Sequence, residues 1–263
     1  MIGNRRADRQ SLLHELRETG FTVVPGVLKS AQVDRWRGVV NQAVERSKAF
    51  ADQAFNPELW PLGAAFAGHP LLNLYRADRI GAVAAQFMSP KWPPAEPEFA
   101  QIAITNPPLI HRPSGPHLDG LSPKEPDGRP GTFTLLVGVI LSDQSEPDCG
   151  NLYVWPGTHL VNAAWLRTNG ADALGVLDRP YPSTELPASE QVLASPGDLI
   201  LAHYLLGHNS GGHFGTAADP RRETVYFRLQ SLGYRQRWRA AVADPLSELA
   251  EPDDNCAIAA DDD

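Results

Sequence analysis

Cysteine is nearly missing from this chain. Its two, Cys149 and Cys256, lie far apart in 263 residues and frame no disulfide scaffold, so a reducing cytoplasm is the expected setting. Long apolar runs are also missing. None approaches the roughly 18 residues that would span a bilayer, which excludes a helical membrane anchor. The opening Met1-Ile2-Gly3-Asn4-Arg5-Arg6-Ala7-Asp8 lacks the apolar core and small-residue cleavage site of a signal peptide, and nothing hydrophobic follows the arginine pair. Positive charge is in deficit. A net charge of −8 argues against nucleic acid or an anionic membrane as the main partner. No repeat of fixed period occurs. What remains is an ordinary globular composition, 42% hydrophobic and 21% charged, in a chain long enough to bury a full core.

The first third reads as helical. Leu12, Leu13 and Leu16 share one face of a helix over 8–19 that stops at Gly20, and Phe21 to Val24 forms a short strand closed by Pro25-Gly26. Ser30 opens a second helix to about Phe50, with Val33, Trp36, Val40 and Val44 as its apolar stripe. The segment 51–69 is broken by Pro57 and Pro61. Pro70 begins a third helix, to about Met88.

After the boundary Lys91-Trp92-Pro93-Pro94-Ala95-Glu96-Pro97 the pattern changes to short β-like runs at 99–105, 132–141, 152–155, 191–194, 198–204 and 223–231. Many short strands with Gly/Pro turns favour a sandwich or barrel over an open parallel sheet. The expectation is one domain: a helical layer over about 8–90 packed on an all-β jelly-roll over about 98–232, followed by an acidic tail over about 243–263 that ends in frayed residues. Two Pro-rich connections, 106–116 and 122–131, flank one short motif, where binding specificity usually resides.

That motif is Pro116-His117-Leu118-Asp119-Gly120. In extended chain, residues i and i+2 face the same way, so His117 and Asp119 could hold one metal ion. Chance alone supplies about half an H-x-D in a chain of this composition. The other histidines narrow the field. His14 and His69 sit at helix positions that suit structural or surface roles. His111 and His213 fall in loops, where solvent exposure is the simpler expectation. His159 follows a tight turn and suits a local hydrogen bond. His203 lies five residues before His208, so on an unbroken strand the two face opposite sides. His117, Asp119 and His208 remain. Two imidazoles and a carboxylate with open positions suit Fe(II), Zn(II) accepts the same three ligands, and Asp119 capping the Gly120 turn would need no metal at all.

Several motifs in order resemble the phytanoyl-CoA dioxygenase family. They are Leu16 to Leu28 (LRETGFTVVPGVL), His117-x-Asp119, Gly150 to His159 (GNLYVWPGTH), Gly197-Asp198 before an apolar strand, His208, and Arg221 to Arg228 (RRETVYFR). The resemblance runs from about residue 12 to 231. It implies a double-stranded β-helix of the cupin-like, jelly-roll kind, with N-terminal helices. It also implies an Fe(II)- and 2-oxoglutarate-dependent dioxygenase that consumes O2 and releases succinate and CO2 while hydroxylating a small organic molecule. By that resemblance His117, Asp119 and His208 are the iron ligands. Arg222 grips the far carboxylate of 2-oxoglutarate, with Arg228 on the same face as runner-up, and Ser210 and Thr134 are further co-substrate contacts. A guanidinium suits the role because its planar fork matches a carboxylate. The chain departs from the family pattern at His213, where an asparagine is usual, and in a slightly longer stretch between His208 and Arg222. Asp119 is intact, which disfavours halogenation.

The small-molecule substrate is expected between loops 106–116 and 121–131 and the insertion 160–190, where Arg112 and Arg129 could meet an anionic group. Two other classes fit parts of the pattern: a non-catalytic protein that binds metal or a 2-oxo acid, and a zinc-dependent hydrolase using the same triad.

Overall fold

The structure, a computed structural model, describes residues 8–46, 70–98, 100–121 and 124–252. The expectations for 51–69 and for the acidic end at 253–263 lie outside those residues.

Local chemistry sets the first elements. Helix α1 (Arg9–Thr19) starts where the Asp8 carboxylate accepts from Gln10 N–H, and it ends at Gly20, whose φ of +90° lets its N–H reach Leu16 O. A side chain at Gly20 is excluded twice over, by that φ and by His159 Nδ1, which would lie 2.6 Å from a Cβ. β1 (Phe21–Val24) follows, then α2 (Ser30–Arg46). The single helix expected after Pro70 is two, α3 (Leu71–Ala77) and α4 (Ile80–Ala85), because the chain breaks at Asp78-Arg79. Asp78 is 7% exposed and takes hydrogen bonds from Gln32, Arg35 and the Trp36 indole of α2. Those bonds hold it off the helical path and leave Arg79 at φ +63°.

The strands β2 (Gln101–Thr105), β3 (Leu135–Ile140), β6 (Leu199–His203) and β8 (Arg222–Leu229) lie close to their expected positions. With β1 they form a five-stranded antiparallel sheet in the order β1-β6-β3-β8-β2. A second antiparallel sheet has the order β5-β4-β7, from β4 (Leu152–Trp155), β5 (Glu190–Gln191) and β7 (Gly207–Ser210). Strand β7 is not apparent in the sequence, since Gly-His-Asn-Ser has little strand propensity; its pairing with β4 imposes the extended form. Part of the supposed insertion is helix α5 (Thr158–Asn169), and α6 (Tyr234–Ala243) was not anticipated either.

The large sheet is buried on both faces. Leu135, Val137, Val139, Leu199, Leu201, Val225, Phe227 and Leu229 point to a core shared with Leu13, Leu16, Trp36, Val40, Leu71 and Leu74 of the helices. The alternate residues Ala103, Leu136, Ile140, Ile200, Ala202 and Tyr226 meet Leu152 and Val154 of the small sheet, with Ala163 and Leu166 of α5 and Trp238 of α6 closing one end. Two packed sheets with a helical layer outside the larger one is the arrangement that strand alternation demands when both faces must leave water. The chain after α6 is not frayed where it is described. Glu248, Leu249 and Ala250 are at most 2% exposed, and Leu249 bridges to Met88. No helix among the described residues is long and apolar enough to cross a membrane.

Two buried histidines tie the layers together. His159 Nε2–H donates to Arg17 O (3.1 Å), far from any local partner. His203 accepts Leu205 N–H at Nδ1 (3.0 Å), and their rings lie 5.5 Å apart. Burial pushes His159 down to about 4 and, with the neighbouring His159, His203 down to about 3, so both are neutral at pH 7. An unfolded histidine takes its proton near pH 6.5, whereas folded His159 takes it only near 4. Stability is therefore full above pH 6.5 and declines as pH falls toward 4. In urea unfolding, His159→Gln should lose about 2 kcal/mol less than wild type between pH 7 and pH 5.

Candidate metal centre

The site lies where residues 91 positions apart in sequence pair as strand. His117 N–H donates to His208 O (2.9 Å) and His208 N–H to His117 O (3.3 Å), so His117 caps the free edge of β7. This pairing sets the two imidazoles 4.6 Å apart between ring centroids. Asp119, two residues on, returns to the same side. Its Oδ1 is 3.5 Å from His117 Nε2 and 3.7 Å from His208 Nε2. One ligand atom from each of the three lies within 4.8 Å of the others, a set that could hold a metal ion.

Three features beyond proximity fit these side chains to a cation. His208 Nδ1–H donates to Leu206 O (3.0 Å), which fixes the tautomer that turns the Nε2 lone pair toward Asp119 and His117. Burial opposes charge on both His208 and Asp119, yet it is overcome. The Arg228 guanidinium and the two imidazoles hold Asp119 well below the usual carboxylate range, and Asp119 pushes His208 up. The centre thus favours positive charge between its three groups. Finally, the backbone that carries Asp119 is locked. Gly120 has φ +71°, a Cβ there would overlap the Gly131 carbonyl, and Gly131 N–H donates to Gly120 O (2.7 Å).

Strand β8 supplies the inner floor. Its outward residues Val225, Phe227 and Leu229 join the helical core, whereas Arg222, Thr224, Tyr226 and Arg228 alternate with them toward the small sheet. Arg222 is 1% exposed. Its Nη2 donates to the Tyr226 hydroxyl (2.7 Å), while Nε and Nη1 meet no acceptor among the described residues. Thr105 Oγ1, on the residue paired with Arg222 across β2, is likewise buried without a partner. Leaving a buried polar group unpaired costs about 1–3 kcal/mol, more for a charged one, and an anionic ligand would remove that cost. The Arg222 stem lies under Gly150, which hydrogen-bonds to Gly212 O (2.9 Å), near Ser210. Ser210 shares the face of β7 that carries His208.

The remaining sequence-derived candidates are placed elsewhere. The Thr134 hydroxyl donates to Glu248, which also accepts from Ser231 and Arg237 in a buried polar cluster. Arg112 pairs with Asp148 (2.7 Å) and stacks on Phe214 (4.9 Å), and Arg129 pairs with Asp127 (3.1 Å). His213, expected at the surface, is 6% exposed. It is fixed by Pro220 O and by Gly215 N–H, so it is a structural residue. A cavity of about 1100 Å³ opens on His117 and Asp119 of the triad and is walled by 114–121 and 177–184, with Leu186, Asn209 and Arg228. Of the loops expected there, 106–113 and the described part of 122–131 take no part, and the second half of 160–190 does. Arg228, a secondary candidate from the sequence, stands 3.1 Å from Asp119 Oδ2. Its spacing from Arg222, an even six residues on one strand, was the available signal.

No protein-family model matches this chain, and no curated protein matches it. Solved structures do. The non-heme alpha ketoglutarate dependent epimerase SnoN from nogalamycin biosynthesis superposes with a TM-score of 0.56 and 18% identity, over 84% of this chain and 81% of that one. HygX from Streptomyces hygroscopicus, with nickel and 2-oxoglutarate bound, gives 0.55 and 19%, over 85% and 87%. The non-heme alpha ketoglutarate dependent carbocyclase SnoK gives 0.52 and 15%, over 85% of each. At these identities the likeness is one of fold.

The Gly150–Arg222 contact is open to a direct check. Gly150 has φ +83° and a Cβ there would lie 2.7 Å from Arg222 Cβ, whereas Gly157 (φ +78°) has open space around it. In urea denaturation Gly157→Ala should cost about 1 kcal/mol, for backbone strain alone. Gly150→Ala should cost about 2–4 kcal/mol, because overpacking is added.

Proposed function

We propose that this chain is an Fe(II)- and 2-oxoglutarate-dependent oxygenase of the phytanoyl-CoA dioxygenase type, built on a double-stranded β-helix, that hydroxylates a small organic molecule in the cytoplasm. The observation that carries the reading is the conjunction of a three-ligand cluster with a buried, half-unpaired guanidinium on the face of β8 that also carries Arg228, the ion-pair partner of Asp119. The fold likeness supports it. SnoN is in complex with Fe3+, alpha ketoglutarate and nogalamycin RO in one structure, and HygX has nickel, 2-oxoglutarate and hygromycin B bound in another. In this reading the whole oxygenase unit is one domain.

His117, Asp119 and His208 hold the iron, leaving its other positions for ligands that are not protein. Bound there, iron with 2-oxoglutarate supplies an oxidant made from O2, with succinate and CO2 as co-products. Arg222 receives the distal carboxylate of 2-oxoglutarate on a donor that meets no acceptor among the described residues, Nε–H or Nη1–H, and the bond from Nη2 to Tyr226 fixes the plane of the guanidinium. Ser210 donates its hydroxyl to the same carboxylate. Thr134 makes no direct contact in this reading, because its hydroxyl donates to Glu248. The substrate occupies the cavity over the triad, where Leu118, Leu121 and Tyr181 exclude water and Asn209 and Arg228 offer polar contacts.

A zinc hydrolase would use the triad but has no need of an anion-gripping arginine at its floor. A binding protein without turnover would use both. An assay of succinate release separates the three. Wild type should form succinate with Fe(II) and not with Zn(II). His117→Ala and Asp119→Ala should each fall below about 1% of that rate, because loss of one of three ligands removes the metal. Arg222→Lys should raise the KM for 2-oxoglutarate about 10- to 100-fold, the worth of one charge-assisted pair. Succinate formation that survives Asp119→Ala, or that Zn(II) supports, overturns the assignment.

A further inference from the structure

The two oxygens of Asp119 face different partners. Oδ1 is turned to both imidazoles, at 3.5 and 3.7 Å, and Oδ2 is 3.1 Å from Arg228 Nη2. Neither side of this contact is loose. The Asp119 backbone is locked at Gly120. Arg228 is on β8 opposite Leu136, its side chain is 10% exposed, and its guanidinium lies 5.6 Å from the centroid of the Phe133 ring. The ion pair thus sets one carboxylate oxygen against the guanidinium and leaves the other turned to the imidazoles.

We infer that Arg228 is a positioning residue that keeps Asp119 a one-oxygen ligand, so that the metal retains the positions its co-substrate needs. A carboxylate free to rotate can chelate a metal through both oxygens and fill one further position. 2-Oxoglutarate would need two positions, through its keto and carboxylate oxygens, so a chelating Asp119 competes with it directly. The inference rests on the metal-centre reading above, and it separates two effects that a merely structural arginine would not separate. Removing a cation beside the site also relieves its repulsion of the metal, so metal affinity should not fall. Co-substrate affinity should.

The test uses the full chain, anaerobically, with Co(II) as the metal probe and Arg228→Met and Arg228→Lys as variants. The readouts are Co(II) affinity by calorimetry, visible absorption of the Co(II) protein, whose intensity reports coordination number, and 2-oxoglutarate affinity of the Co(II)-loaded protein. Arg228→Met should bind Co(II) at least as tightly as wild type, lose absorption intensity as a further oxygen joins the metal, and bind 2-oxoglutarate at least 10-fold more weakly. Arg228→Lys, which keeps a cation beside Oδ2, should restore most of the spectrum and of the 2-oxoglutarate affinity. An Arg228→Met protein with wild-type spectrum and 2-oxoglutarate affinity overturns the inference, and so does one that weakens Co(II) and 2-oxoglutarate together. If Arg228→Met does not fold, a wild-type spectrum with 10-fold weaker 2-oxoglutarate binding in Arg228→Lys overturns it equally. Failure of wild type to bind Co(II) sinks the metal-centre reading itself, and this inference with it.

Discussion

Everything at the site depends on the short backbone pairing between His117 and His208. Two hydrogen bonds, at 2.9 and 3.3 Å, join a Pro-rich loop to the edge of the small sheet and so bring together imidazoles from distant parts of the chain. Such a contact closes a long loop, which costs entropy, and it is held because the segments on both sides are anchored. Leu118 is buried against the inner core, Gly120 is bonded to Gly131, and Asn209 Nδ2 donates to Gly115 O (2.7 Å). Once the pairing exists, the position of Asp119 follows from strand alternation, and its carboxylate lies 3.1 Å from the Arg228 guanidinium.

The large sheet makes this arrangement affordable. One face of β8 puts Val225, Phe227 and Leu229 into the helical core, where each fully buried apolar side chain contributes roughly 1.5–3 kcal/mol. The opposite face is then free to carry Arg222 and Arg228, charged groups that stabilise nothing by burial alone. The helices α1 to α4 therefore serve the site without touching it. Buried histidines do related work. His159 and His203 are neutral, locked to backbone groups, and fasten α1, α5 and the segment after α6 to the sheet. They show that burial and a perturbed histidine do not by themselves identify a reactive centre.

Much of this was legible in the sequence. The apolar runs of 132–141 and 198–204, bounded by turn residues, located strands of the large sheet, and the i, i+2 relation of His117 and Asp119 expresses strand geometry directly. Counting along RETVYFR placed Arg222 and Arg228 on one face, as they are. Other features were not legible because no local preference encodes them. Gly207 to Ser210 is a strand only through its partners. Asp78 breaks a helix because three side chains of α2 reach it. His213, in a Gly-rich loop that looks exposed, is buried by contacts with residues after it. Loop walls were harder still. Arg112 and Arg129 are drawn to nearby acidic residues, Asp148 and Asp127, a choice between partners that composition cannot decide.

The central claim is that metal and 2-oxoglutarate share one site, the first held by His117, Asp119 and His208 and the second bridging from it to Arg222. Anaerobic calorimetry of 2-oxoglutarate binding, with and without Fe(II), tests it most directly. The account predicts binding that requires the metal and disappears in His208→Ala even when Fe(II) is in excess. Equal binding without metal, or binding unchanged in His208→Ala, would contradict it.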